Sequence, residues 1–187
     1  GAALGSLYAK EHPEQIATLA FLEAIIRPWK WSYLKWNYRI GFWLLRQPII
    51  GELLVYSANT FTSVFLPRLI KRKMSPTEIE HYKKPFQRKS SRKPLLQFPR
   101  EIPINKSPKQ MYSLVRTYSK YLQHSHVPKL LIYAKPGAII KEKEVEWCQN
   151  YINNLEIRYI GEGLHFIQED HPEKIGQALK DWMLQLA

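Results

Sequence analysis

The sequence has 187 residues, of which 45% are hydrophobic, so it can form a folded domain with a core and is not wholly disordered. The net charge of +12 is scattered and accompanies no recognised nucleic-acid motif, so we predict no nucleic-acid partner. The only cysteine, Cys148, excludes an intramolecular disulfide and favours a reducing, cytoplasmic location.

The sequence was also searched for a membrane span and for a targeting segment. No stretch of 18 residues is free of charged side chains, so we predict no membrane span. The first residue is Gly1, and no basic-then-apolar leader precedes it, which suggests a chain cut from a longer one.

The opening residues predict a helix followed by a buried strand. Small and apolar residues at helical spacing favour a helix over residues 2–11, which His12 and Pro13 end. The apolar run 16–22 is typical of a strand that is buried on both faces, and Glu23 closes it.

Residues 27–125 predict a separate, mostly helical layer. Aromatic-rich helical segments alternate with proline-containing loops, and basic residues interrupt the tryptophan-rich segment 25–56. That segment is typical of an amphipathic helix that covers a core or pocket. Ser75, Pro76 and Glu78 form a helix start, with a capping serine, a proline at the first position and a glutamate three residues after the cap.

The pattern of the opening returns near Pro128. We predict a strand over residues 129–133, a helix over 141–153, a strand over 155–160 and a last helix through about residue 186. Strands that alternate with helices indicate an α/β fold with a parallel sheet. The chain therefore divides into core segments 1–26 and 126–187 around a helical segment 27–125.

Glu23 and His165 are the candidate functional side chains. Function in parallel sheets collects beyond the carboxyl ends of the strands, where Glu23, His165 and the glycine- and proline-bearing segment 134–140 all lie. A carboxylate and a histidine at separate strand ends form a candidate pair of orienting acid and general base. The remaining histidines have no cysteine or histidine partners at zinc spacing, so we predict no metal.

Several segments resemble the haloalkane dehalogenases. They are residues 1–5 (GAALG), 22–28 (LEAIIRP), 98–104 (FPREIPI) and 163–170 (GLHFIQED). The resemblance spans essentially the whole chain and implies the C-terminal part of an α/β-hydrolase fold with a helical cap domain.

The resemblance also implies functional roles. Glu23 matches the acid that holds the histidine, and His165 matches the general base. Some family members carry the acid after the next strand, but this chain has no carboxylate there until Glu142. The residues that match positions lining the family's apolar substrate cavity are Phe42, Leu45, Phe61, Leu69, Phe98, Pro99, Ile102, Ala138 and Ile139.

The expected activity is cleavage of a small apolar halogenated substrate to an alcohol and a halide ion, without a cofactor. The resemblance places the nucleophilic aspartate two positions before Gly1 and the halide-binding donors upstream, so we expect the 187 residues to be inactive alone. The alternatives are a Renilla-type luciferase, which shares the fold and the signatures, another α/β-hydrolase, or an inactive fragment. The sequence carries no prediction of oligomeric state.

Overall fold

A computed structural model describes residues 1–186, and of residue 37 the backbone alone. The chain forms two compact units. The sheet unit comprises Gly1–Arg27, Leu69–Arg72 and the residues from Leu114 onward, and the helical unit comprises Pro28–Arg68 and Lys73–Ser113.

Three parallel strands form the sheet, in the order β1 (Leu19–Phe21), β2 (Lys129–Pro136) and β3 (Leu155–Gly163). The predicted parallel α/β architecture is therefore confirmed. Strand β1 is shorter than the predicted run 16–22, because its pairing with β2 begins only where Leu19 lies opposite Lys129. Strand β3 is longer than predicted, since its pairing continues to Gly163.

Helices make up most of the remaining chain. The α-helices are α1 (Ala2–Glu11), α2 (Trp36–Arg46), α3 (Pro48–Glu52), α4 (Leu66–Arg68), α5 (Pro76–Lys83), α6 (Lys93–Glu101), α7 (Lys109–His124), α8 (Glu142–Tyr151), α9 (Ile167–Asp170) and α10 (Pro172–Leu186). Single turns of 3-10 helix cover Pro13–Gln15, Trp31–Tyr33, Lys84–Phe86 and Lys89–Arg92, and π-helical turns cover Leu53–Ser57 and Phe61–Phe65.

Strand β2 is the centre of the sheet unit. Its side chains alternate between two faces, and Leu131 packs on one face while Leu130 and Ile132 pack on the other. Both faces are covered, because helices α7 and α8 pack on the first and helix α10 on the second. A strand that is covered on both faces consists of nearly continuous apolar residues, which explains the apolar run in the sequence.

Lys129 begins strand β2 and is completely buried. Its ammonium group donates hydrogen bonds to the carbonyls of Ser125 at 2.7 Å, Val127 at 2.8 Å and Asn153 at 3.0 Å. Ser125 and Asn153 follow the C-terminal ends of α7 and α8, where helix dipoles favour a cation. The cation therefore ties two helix ends to the start of the central strand.

The helical unit has its own apolar core, made by Leu45, Val55, Leu95 and Leu96. The predicted amphipathic segment 25–56 is not one helix, because Pro48 starts a new helix directly after α2 ends. The predicted helix start at Ser75 is confirmed, with both hydrogen bonds of its capping box present.

Arginine side chains hold the segments of the helical unit together through backbone carbonyls. Arg46 donates to the carbonyls of Ile102 at 2.8 Å and Ser107 at 3.0 Å. Arg100 donates to the carbonyls of Leu45 at 3.2 Å and Gln47 at 3.0 Å, next to the break between α2 and α3. These bonds satisfy carbonyls that irregular and interrupted helices leave without partners.

The boundaries of the two units differ from the predicted segment 27–125. The helical unit ends at Ser113, because Val115, Tyr118 and Leu122 of helix α7 pack into the core of the sheet unit. Within residues 1–186, no single helix is long and apolar enough to cross a membrane. The bent pair Pro48–Ser57 and Phe61–Arg68, with 68° between its helices, meets the criteria of length and composition only as a pair.

Two tyrosines of helix α7 allow a matched test of the packing in the sheet unit. The Tyr118 hydroxyl donates to the Ile25 carbonyl at 2.5 Å, whereas the buried Tyr121 hydroxyl has no hydrogen-bond partner among the described residues. We expect Tyr118→Phe to lower the free energy of unfolding by about 1–2 kcal/mol, because it leaves a carbonyl unpaired. Tyr121→Phe should be neutral or stabilising. Chemical denaturation measures the free energy of unfolding of both variants, and an equal decrease in the two would contradict this prediction.

A second prediction concerns the pH dependence of stability. Burial lowers the pKa of Lys129 from 10.5 to about 8. Between these two values the unfolded chain binds a proton that the folded chain has released, so this group makes stability rise with pH. Lys129→Met should remove that rise, which amounts to at most about 3 kcal/mol. Unfolding free energies of both proteins measured from pH 7 to 11 test this, and parallel curves would refute it.

Candidate active site

Glu23 follows strand β1 after one residue and turns its side chain into the interior. Its backbone has a φ of +42°, a left-handed conformation that costs energy for a residue with a side chain. The side chain is only 2% exposed. A carboxylate so deeply buried needs hydrogen-bond donors, because desolvation of an unpaired charge is expensive.

The loop after strand β2 supplies those donors. The amide of Ile139 donates to Glu23 at 2.8 Å, that of Ala138 at 3.2 Å and that of Ile140 at 3.3 Å. Gly137 has a φ of +65° and turns the chain so that three successive amides converge on one carboxylate. The loop therefore binds Glu23 as an anion-binding nest.

His165 is the remaining partner of Glu23. Its Nδ1 atom lies 3.3 Å from Oε2 of Glu23. An ionised carboxylate only accepts hydrogen bonds, so in the neutral imidazole this contact places the proton on Nδ1 and leaves Nε2 with a free lone pair. The His165 side chain is 31% exposed. The pair thus combines a buried acceptor with a base that solvent or a ligand can reach.

A short segment of the sheet unit, Leu69–Arg72, fixes the backbone at His165. The carbonyl of Leu69 accepts hydrogen bonds from the amides of His165 at 3.0 Å and Phe166 at 3.1 Å. The Asp170 carboxylate accepts from the amides of Lys71 at 3.1 Å and Arg72 at 2.8 Å. We call this segment the strap; its contacts fall at His165 itself, at the next residue and at Asp170 five positions later.

The other candidate residues in the sheet unit border the pair directly through their backbones. Ala138 and Ile139 donate their amides to Glu23, and Leu69 accepts the His165 amide. All three side chains are half-buried. Their role in substrate binding stays a prediction, but their backbone contacts position the acid and the base.

The candidate residues in the helical unit have varied surroundings. Leu45 is buried in the core of that unit, with Phe61 packed against the same cluster. Phe42 is half-buried and meets Trp29 edge to face, with 6.3 Å between ring centres. The other three lie on or beside helix α6, where Phe98 is 71% exposed, Pro99 is buried and Ile102 is half-buried.

Sequence reasoning found Glu23 and His165 but missed how they are held. The amide nest has no side-chain signature, and its only signal was the run Lys135-Pro136-Gly137 at a strand end, which is typical of a tight turn. The strap had no signal, because its backbone groups bind residues about 100 positions away in the chain. Within residues 1–186, no group of three or more histidine, cysteine or acidic residues could hold a metal ion.

The chain is similar to haloalkane dehalogenases over its whole length. It is 37% identical over 187 residues to the haloalkane dehalogenase of Sphingobium indicum and 33% identical to that of Agrobacterium fabrum, covering 100% of this chain and 62% of each relative. A third relative, from Mesorhizobium japonicum, is 36% identical over 98% of this chain and 60% of its own length. No family model matches the chain.

Solved structures agree with the sequence comparison. The haloalkane dehalogenase DatA from Agrobacterium tumefaciens superimposes with a TM-score of 0.94 at 33% identity, covering 100% of this chain and 64% of its own. DbeA from Bradyrhizobium elkani gives 0.94 at 33% identity, covering 98% and 64%. The predicted resemblance is therefore confirmed, and the fold matches the C-terminal part of an α/β-hydrolase with a helical cap. The chain spans less than two thirds of the length of these relatives.

Two glycines allow a matched test of the amide nest. A Cβ atom at Gly137 would lie 2.2 Å from the Ile140 carbonyl oxygen and 3.1 Å from Oε1 of Glu23, whereas one at Gly176 in helix α10 would meet nothing within 4 Å. We expect Gly137→Ala to lower the free energy of unfolding by about 2 kcal/mol or more. Gly176→Ala should raise it by about 0.5–1 kcal/mol, as in other helix interiors. Thermal and denaturant unfolding measure both, and a well-tolerated Gly137→Ala would show that the nest is not required.

Proposed function

We propose that this chain, which resembles haloalkane dehalogenases along its entire length, is the C-terminal part of such an enzyme. The whole protein would hydrolyse a carbon–halogen bond of a small apolar haloalkane, giving an alcohol and a halide ion. The observation that carries the proposal is the Glu23–His165 pair, 3.3 Å apart at the carboxyl ends of β1 and β3. These two residues match the acid and base positions of the family that the chain resembles.

The reaction needs a carboxylate nucleophile. A carboxylate that displaces halide from a saturated carbon forms an ester, which water can cleave, whereas a serine would form a stable ether. Neither aspartate of the chain suits this task. Asp170 binds the strap amides, and Asp181 binds Gln177 and Arg158 at the surface. We therefore propose that the nucleophile comes from residues outside these 187, which would not suffice for turnover.

His165 would act as the general base in the second step. Its free Nε2 removes a proton from water, and the resulting hydroxide attacks the carbonyl carbon of the ester. The ester C–O bond at the carbonyl carbon then breaks, and the alcohol leaves with the proton that His165 returns. The carboxyl group of the nucleophile loses its proton to solvent, which regenerates the carboxylate. Glu23 holds the imidazole in the tautomer with its proton on Nδ1 and stabilises the imidazolium that forms. The amide nest keeps Glu23 in place, so the base has one orientation.

The apolar residues that match the family's cavity positions would supply the substrate contacts. Aromatic and aliphatic side chains such as Phe42, Phe61 and Ile139 favour an uncharged haloalkane over a polar substrate. The departing halide needs N–H donors, and the resemblance places these outside the 187 residues. No cofactor enters this chemistry.

The cysteine is not a competing nucleophile. Cys148 is fully buried on helix α8, and burial raises the pKa of its thiol to about 12. The thiol therefore stays uncharged and serves as a packing group. With one such cysteine and no partner for it in the sequence, we propose a reducing, cytoplasmic location, which cell fractionation would test.

Variants of the whole protein test the assigned roles. His165→Ala should abolish turnover of a haloalkane but still release one halide per active site, because the base acts only on the ester-cleaving water. Mass spectrometry should then find the alkyl group trapped on an aspartate. Glu23→Gln should slow turnover by roughly 10²–10⁴-fold. His126→Ala, which changes an exposed loop histidine, is the matched control and should retain activity.

Two outcomes would contradict the proposal. Multiple turnover by His165→Ala would remove this residue as the base. Absence of halide release by the wild-type protein, combined with light emission from an imidazopyrazinone in the presence of oxygen, would instead support the luciferase-like alternative.

A further inference from the structure

Helix α2 of the helical unit exposes a row of large apolar side chains. Trp36 is 74% exposed, Ile40 51% and Trp43 53%. Residues at positions i, i+4 and i+7 share one side of a helix, so the three side chains form a continuous stripe. Tryptophan is usually well buried in soluble proteins, and two exposed tryptophans on one stripe mark a surface that meets a partner.

A shallow open pocket extends this stripe. It has a volume of about 300 Å³ and is lined by Trp31, Arg39, Ile40 and Trp43. The guanidinium of Arg39 donates to the carbonyl of Leu34 at 2.8 Å, which fixes the charge beside the apolar side chains. Arg39 is exposed on the same helix as Trp36 and Trp43, so a cation accompanies the aromatic rings on this surface.

The stretch of sequence that contains the stripe carries charge of one sign. Residues 24–51 contain five basic residues and no acidic residue. Lys30 and Lys35 are exposed and lie close in sequence to Trp31 and Trp36. We call Lys30, Trp31, Lys35, Trp36, Arg39, Ile40 and Trp43 the aromatic-basic face.

The composition of this face selects among possible partners. A second copy of the face would bring Lys35 and Arg39 of both molecules together, and like charges disfavour that pairing. Single-stranded nucleic acid stacks on aromatic rings, but the helices that follow expose aliphatic side chains instead, with Ile49 at 74% and Leu53 at 59%. Tryptophan, aliphatic residues and lysine together suit the boundary between phospholipid headgroups and acyl chains.

We propose that the aromatic-basic face docks the protein on an anionic phospholipid surface. Trp36, Ile40 and Trp43 enter the headgroup region, and the cations contact lipid phosphates and other anionic headgroups. Docking is interfacial and reversible. The inference rests on the exposed surface of the helical unit and is independent of the proposed dehalogenase activity.

Co-sedimentation of the whole protein with vesicles tests the proposal. Vesicles of phosphatidylcholine mixed with an equal amount of phosphatidylglycerol should bind the protein, and vesicles of phosphatidylcholine alone should bind it much less. Added salt should weaken binding, because it screens the charges. Trp36→Ser combined with Trp43→Ser should lower the partition coefficient by at least about tenfold, and Lys35→Glu by roughly tenfold.

Matched controls separate this face from general stickiness and from net charge. Tyr151→Ser removes an aromatic side chain that is 56% exposed in the sheet unit, and Lys180→Glu makes the same charge change on helix α10. Both control variants should bind anionic vesicles like the wild type. Circular dichroism and thermal unfolding show whether each variant is folded.

Three results would overturn the proposal. The first is equal binding to neutral and anionic vesicles, or none to either. The second is a concentration-dependent dimer in sedimentation velocity that the double tryptophan variant abolishes, which would make the face a contact between copies. The third is binding of a single-stranded oligonucleotide that depends on Trp36 and Trp43 while vesicles are not bound.

Discussion

The buried carboxylate of Glu23 is the constraint on which the sheet unit depends. One charge with a 2% exposed side chain must find hydrogen-bond donors inside the protein, and it finds them in the loop after β2 and in His165 after β3. The ends of all three strands are therefore tied to a single group. Losing the loop geometry leaves the buried carboxylate without its amide donors, and losing the carboxylate leaves three amides without an acceptor, so the acid, the loop and the base depend on one another.

Local signals made the elements of this fold predictable. Apolar runs marked the three strands, the proline and serine at residues 75–76 marked a helix start, and the order of strands and helices implied parallel pairing. Glu23 and His165 were predictable as a pair because parallel strands bring their carboxyl ends to one edge. Their roles in catalysis remain proposals, which the resemblance to haloalkane dehalogenases supports.

Interactions between distant backbone groups could not be predicted in the same way. The backbone amides of residues 138–140 bind Glu23 because of the conformation of the loop. The side chains of these residues do not indicate that conformation. Lys129 opens a strand and is completely buried against three carbonyls, and no sequence pattern indicates these contacts. Pro48 marks the break between the helices of residues 36–57 in the sequence, but the hydrogen bonds from Arg100 to the carbonyls beside that break have no sequence pattern.

The strap also determines how this architecture can be recombined. The helical unit lies on two stretches of sequence, Pro28–Arg68 and Lys73–Ser113, with the strap Leu69–Arg72 between them as part of the sheet unit. A chimera that exchanges residues 28–113 as one cassette would import a foreign strap beside His165 and Asp170. An exchange of the helical unit between homologues therefore has to keep the recipient's own strap residues Leu69–Arg72. The unit that can be exchanged is discontinuous in sequence.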